Sequence, residues 1–174
     1  MRPIVKVAHG SVTEGTETVL VNASNTNAAL GSGVSGAIRA ACGPGYQEHI
    51  VGELHARFAG PMSPGQVLVT DAGQHPSARW VAHVAVMDYR DGFTGGSYPN
   101  AAVIQQACEQ LWPAIDALGP ECTVAMVALG AGTGKLGVQE PTRIACETLR
   151  AHLAAVTQTS IAAVTFYGFQ LHEY

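Results

Sequence analysis

Three glycines at GxGxxG spacing, Gly31, Gly33 and Gly36, stand within the segment VNASNTNAALGSGVSG of residues 21–36. Glycines so placed let backbone N–H groups approach an anion closely. The helical pattern beginning at Ala37-Ile38-Arg39-Ala40 sets the positive end of a helix behind them. Asn22 and Asn25 each carry a donor and an acceptor, which suits the hydroxyls of a sugar. Types and spacing together describe a site for a nucleotide diphosphate with an attached sugar. A second glycine cluster, Gly130-Ala131-Gly132-Thr133-Gly134-Lys135, follows a continuous apolar run.

The elements that must position these residues alternate between strand and helix. Apolar runs predict strands at 5–8 and 18–21, the second stopping at Asn22. A helix over 34–42 is closed by Gly43-Pro44-Gly45, and a second over 46–58 sets Ile50, Leu54 and Phe58 on one face. Strands at 66–70 and 79–86 flank a turn-rich segment holding Gly73 and Pro76. A glycine-rich surface loop follows at 88–99. Asn100 caps a helix running through 117, bent or ended early by Pro113. A strand at 123–129 leads into the second glycine loop. Pro141 suits the first turn of a helix whose core stripe is Ala145, Leu149 and Leu153, and a last strand spans 161–167. Such alternation predicts one α/β domain over 1–174, its sheet largely parallel and covered on both faces. Both glycine loops would then leave the C-terminal ends of strands, where such sheets place ligands.

Composition narrows the function. With 174 residues and 47% hydrophobic content, the chain can bury a full core without covalent staples. A net charge of −4 and a charged fraction of 13% exclude a broad basic footprint, so direct binding to a nucleic-acid backbone is not expected. No signal-peptide pattern and no apolar run near membrane length is found, which points to a cytoplasmic protein with no membrane partner. Cys42, Cys108, Cys122 and Cys146 keep no metal-ligand spacing and read as buried free thiols; no metal is expected. His83, inside an apolar strand, reads as a core histidine, and His49 with Glu53 as a solvated helix pair.

Two general readings of the loops fit poorly. A dinucleotide-binding unit places its first glycine directly after the strand, whereas residues 22–30 intervene here and no acidic residue closes a second strand about 20 residues on. A P-loop needs one more residue before the lysine and a Ser or Thr where Leu136 stands. The run VNASN…GSGVSGAIRAACG instead resembles the first binding loop of the macrodomain family, VNAANxxLxxGGGVDGAIxxAAG. Gly10-Ser11-Val12-Thr13 is similar to the family's GDIT, Val81-Ala82-His83 to its V-I-H strand, and residues 130–136 to its second loop.

The resemblance implies a three-layer αβα macrodomain with a mixed central sheet. It implies binding of ADP-ribose or ADP-ribosylated macromolecules without a cofactor, and hydrolysis of ADP-ribosyl linkages to protein, nucleic acid or an acetyl ester. By position the ligand would meet Ser11, Val12, Asn22, Asn25, Gly31, Ser32, Gly33, Val34, Gly130, Ala131, Gly132, Thr133 and Gly134. Phe169 would stack on adenine, with Tyr167 the alternate. Asn22 is expected to tie down its own loop more than to touch ligand, and Asn25 the reverse. Asn25 and Ser35 stand at the catalytic positions. Three departures bear on function. Ser11 replaces the aspartate that would accept from the adenine amino group, a loss of about 1–2 kcal/mol. Ser35 and Gly134 replace the aspartates of the two hydrolytic classes, which keeps a non-catalytic binding module open as the alternative.

Overall fold

The computed structural model describes residues 2–168. Six strands and four helices follow the expected alternation: β1 (Ile4–His9), β2 (Val19–Asn25), α1 (Gly33–Cys42), α2 (Tyr46–Phe58), β3 (Val67–Asp71), β4 (Trp80–Met87), α3 (Ala101–Asp116), β5 (Cys122–Met126), α4 (Gln139–Ala155) and β6 (Ile161–Gly168). The sheet order is β1-β6-β5-β2-β4-β3, and every pairing is parallel except β3 with β4. This is the mixed sheet of a three-layer αβα fold. Helix α1 packs with α2 and α3 with α4, and β4 is buried at every position from Val81 to Met87, so both faces of the sheet are covered.

Local sequence explains most of these bounds. Helix α2 begins after Gly45 (φ 77°) and ends at Ala59 (φ 56°), both left-handed positions that terminate regular structure. The Asn100 side chain accepts from Val103 N at 3.0 Å and fixes the start of α3. Pro113 lies inside α3 without ending it. Trp112 and Ile115, on either side of that proline, are fully buried. The Trp112 indole donates to Thr148 Oγ1 on α4 at 3.0 Å, so packing against α4 overrides the proline.

Four local expectations are corrected. Strand β2 does not stop at Asn22 but runs to Asn25, paired with β4 through Ser24 opposite Ala85. Its polar residues remain in the strand because buried partners satisfy them. Strand β5 is shorter than expected and ends at Met126. Of the cysteines, Cys42, Cys108 and Cys122 are buried free thiols, but Cys146 is exposed. Burial raises the Cys42 pKa to about 11 and that of Cys108 to about 12, which keeps both thiols protonated and inert. His49 leaves Glu53 and pairs with Asp71 on β3 at 2.8 Å. Among the described residues no helix is long and apolar enough to cross a membrane.

Candidate functional site

Strand β2 stands at the point where the chain reverses direction across the sheet, with β4 on one side and β5 on the other. The loops leaving β2 and β5 therefore open away from each other at one end of the sheet, and a crevice forms between them. A cavity of about 730 Å³ lies there. Its walls come from Ser11 and Val12, Gly33 and Val34 at the start of α1, Ala131 and Gly132 in the second loop, and Val138, Gln139 and Thr142 at the start of α4. Its far end is apolar, lined by Val5 and Val7 of β1, Cys146 of α4 and Phe166 of β6.

The first loop is shaped by Asn25. Its side-chain oxygen accepts from the N–H groups of Asn27 and Ala29, both at 3.1 Å, and its amide donates to Ala29 O at 2.9 Å. Gln47 on α2 clamps the same turn, accepting from Leu30 N at 2.6 Å and donating to Ala28 O at 3.1 Å. Gly33 (φ 58°) then lets the chain swing into α1, and Gly36 allows the helix to pass close to Gly31 O. The second loop folds back on itself. A methyl at Gly134 would lie 2.7 Å from Gly130 Cα and 2.8 Å from Pro99 Cγ, so only glycine fits that crossing. Tyr98 and Lys135 join the two segments, with the Lys135 ammonium 4.9 Å from the ring centroid.

Below the first loop runs a buried hydrogen-bond relay. Ser35 Oγ donates to Asn22 Oδ1 at 2.9 Å, and Asn22 Nδ2 donates to His83 Nδ1 at 3.1 Å. That contact leaves the ring proton on Nε2, which faces Thr70 Oγ1 at 3.1 Å. Thr70 and Tyr46 hydroxyls each donate to Asp71 O at 2.9 Å. Burial holds the His83 pKa down to about 3, so the ring is neutral. Burial also pushes the Tyr46 hydroxyl well above its ordinary range.

Of the residues picked from sequence, the fold brings Ser11, Val12, Gly33, Val34, Ala131 and Gly132 together on the cavity wall. Gly31, Ser32, Gly130, Thr133 and Gly134 shape the two loops without lining it. The two asparagines do not divide their roles as expected. Asn22 is fully buried in the relay and does not tie its own loop, whereas Asn25 does. Ser35 is only 8% exposed and its hydroxyl points down to Asn22, away from the cavity. Phe169 lies outside the described residues. Tyr167 lines the cavity and donates to Glu17; burial first, and then Glu17, push the phenol pKa to about 12.

Sequence reasoning found the helix after the second loop but missed its place at the cavity. The N-terminus of α4 faces the cavity opposite that of α1, and neither has a side-chain cap hydrogen bond. Two uncapped helix N-termini converging on one cavity present backbone N–H groups and partial positive charge to the same point. The one signal for this in the sequence was Pro141 soon after a glycine loop.

The family model described as Macro domain matches residues 21–145. A macro domain-containing protein of Streptomyces coelicolor is 30% identical over 179 residues, spanning 98% of this chain and 94% of that protein. An O-acetyl-ADP-ribose deacetylase of Enterobacter cloacae is 33% identical over 107 residues, 62% of this chain and 56% of its own length. The crystal structure of a Trypanosoma brucei macrodomain in complex with ADP-ribose superposes with a TM-score of 0.75 at 23% identity, over 98% of this chain and 66% of that one. The match of the family model over most of the sequence, on a fold with this sheet order, shows that the chain belongs to the macro domain family.

Proposed function

We propose that this protein binds ADP-ribose, free or carried on a macromolecule, in the cavity between the two glycine loops. The observation that carries this reading is the convergence of the α1 and α4 N-termini on one cavity with an apolar far end. A diphosphate is held there by backbone donors and helix dipoles, which explains how the site does without arginine or lysine on its wall. The apolar end, with Phe166, Val5 and Val7, takes the base by stacking and burial. The ADP-ribose complex of the Trypanosoma brucei macrodomain supports the same ligand class.

Calorimetric titration with ADP-ribose, ADP, AMP and NAD tests the proposal. A methyl at Gly33 meets nothing within 4 Å, but its φ of 58° strains any side chain, so Gly33→Glu, which places a carboxylate where the diphosphate would lie, is read together with a thermal melt that shows it folded. ADP-ribose is expected to bind selectively, and the variant to lose it. Absence of heat for ADP-ribose overturns the reading.

Hydrolysis of an ADP-ribosyl or acetyl ester linkage is the second reading, favoured by the similarity to the O-acetyl-ADP-ribose deacetylase. Against it stand the inward hydroxyl of Ser35 and the engagement of Asn25 within its loop, and no Asp, Glu or His among the described residues lines the cavity to act as general base. Release of ADP-ribose from modified protein, modified nucleic acid or the acetyl ester, faster than in Gly33→Glu, would establish turnover.

A further inference from the structure

We propose that the loop between β4 and α3 docks the carrier of the ADP-ribose. The carrier is a polypeptide that sets an apolar side chain, next to its modified residue, against Phe93. The inference rests on the ADP-ribose reading of the cavity. On that reading the base lies at the end walled by β1 and β6, and the diphosphate between the two glycine loops. Beyond β5 and β2 the next strand of the sheet is β4, parallel to β2, so its outgoing loop stands at the same sheet edge. The far sugar and whatever is attached to it therefore point toward residues 88–100. That segment is joined to both glycine loops. Tyr89 N donates to Thr26 Oγ1 at 2.8 Å, and Asn27 Nδ2 donates to Tyr89 O at 3.2 Å. On the other side, Lys135 of the second loop lies over the Tyr98 ring, and a methyl at Gly130 would come within 3.0 Å of Pro99 Cγ.

This loop offers an aromatic platform on a rigid base. Phe93 is 61% exposed, and among the described residues it is the one aromatic side chain left facing water. Its ring meets Tyr89 and Tyr98 edge to face, with centroids 5.7 and 5.6 Å away. Beneath it the chain is tied by its own polar groups. Asp88 N donates to Ser97 O at 2.9 Å, Thr94 N to Ser97 Oγ at 2.8 Å, and Ser97 Oγ to Gly92 O at 3.2 Å. A ring already stacked on a fixed loop loses little freedom when a partner covers it, which is the property of an interface anchor. Charge decides the carrier. Arg90 is closed on Asp88 by two bonds, at 2.9 and 2.7 Å. That leaves Lys135 on the Tyr98 ring, where a nucleic-acid strand requires a row of free cations. A net charge of −4 further repels a polyanion. A polypeptide needs no such row, and its apolar side chain gains by covering Phe93.

The test is calorimetric titration of the full chain, as wild type and as Phe93→Ser, with free ADP-ribose and with ADP-ribose on three carriers. These are a peptide with leucine beside the modified residue, the same peptide with serine there, and a short single-stranded oligonucleotide, each joined through a hydrolysis-resistant linkage. Wild type is expected to bind the leucine peptide about fivefold tighter than free ADP-ribose, the scale of one anchoring aromatic contact. The serine peptide and the oligonucleotide should bind no tighter than free ADP-ribose. Phe93→Ser should keep the wild-type affinity for free ADP-ribose and lose the gain from leucine. No gain in wild type, or a gain that survives in Phe93→Ser, overturns the docking surface while leaving ADP-ribose binding intact. A variant that loses free ADP-ribose as well overturns the separation of platform from cavity. An equal gain from the serine peptide, or a larger one from the oligonucleotide, overturns the apolar polypeptide as occupant. A wild type that binds ADP-ribose neither free nor carried overturns both readings.

Discussion

Replacing His83 with Gln isolates the proton that burial keeps off its ring. The imidazole titrates at 6.5 in an unstructured chain and at about 3 in the fold, with desolvation as the cause. Between those values the unfolded chain binds the proton and the folded protein does not. Stability is therefore complete above pH 6.5 and is lost as pH falls toward 3. At pH 5 the unfolded imidazole lies about 1.5 units below its pKa, and at about 1.36 kcal/mol per unit the folded state loses about 2 kcal/mol relative to pH 8. The figure barely depends on the folded value, because that value lies well below pH 5. Glutamine titrates nowhere in this range. Urea denaturation of wild type and His83→Gln at pH 8 and pH 5 gives four free energies. The variant is expected to be the less stable protein at pH 8, by about 1–3 kcal/mol from the broken contacts to Asn22 and Thr70. Between pH 8 and pH 5, however, wild type should lose about 2 kcal/mol more than the variant. Equal losses in the two proteins would refute the assignment of a neutral buried histidine. The difference of differences cancels the other histidines, which both proteins share.

Two further substitutions probe the loops. Gly134→Ala drives a methyl into Gly130 and Pro99; the second loop is expected to open and ADP-ribose affinity to fall about tenfold or more, read by calorimetry, and unchanged affinity would show that the loop does not meet the ligand. Ser35→Asp removes the proton donated to Asn22 Oδ1 and buries a carboxylate against that oxygen, so chemical denaturation should show a loss of about 1–3 kcal/mol, and a variant as stable as wild type would refute the relay as drawn.

Much of the scaffold was legible because local chemistry fixes it. Helix α2 matched at both ends since Gly45 starts it and the periodicity of Ile50, Leu54 and Phe58 carries it to its last turn. The two glycine loops were visible for the same reason. The end of β2 was not, because Asn22 and Ser24 look like loop residues until His83 and Ser35 are known to lie against the strand. That Asn25, not Asn22, ties the loop was hidden for a related reason. Spacing tells that two amides are near a ligand loop but not which way each side chain turns. The nearness of the α4 and β1 walls to the first loop was barely legible, since it depends on sheet order rather than on any neighbour in sequence.

The pairing of β1 with β6, Ile4 opposite Ala163 and His9 opposite Gly168, has a consequence for assembly. Nearly the whole length of the chain separates the two strands that line the apolar end of the cavity. Their closure carries the largest loop entropy in the molecule and contributes little to slow-forming order until the central strands exist. During refolding, burial of Trp112 between α3 and α4 is expected to precede docking of the edge strand. During synthesis, likewise, no partly made chain has this wall, because the last strand completes it. On the proposed function, a molecule that captures nucleotide is thus one whose sheet is already finished.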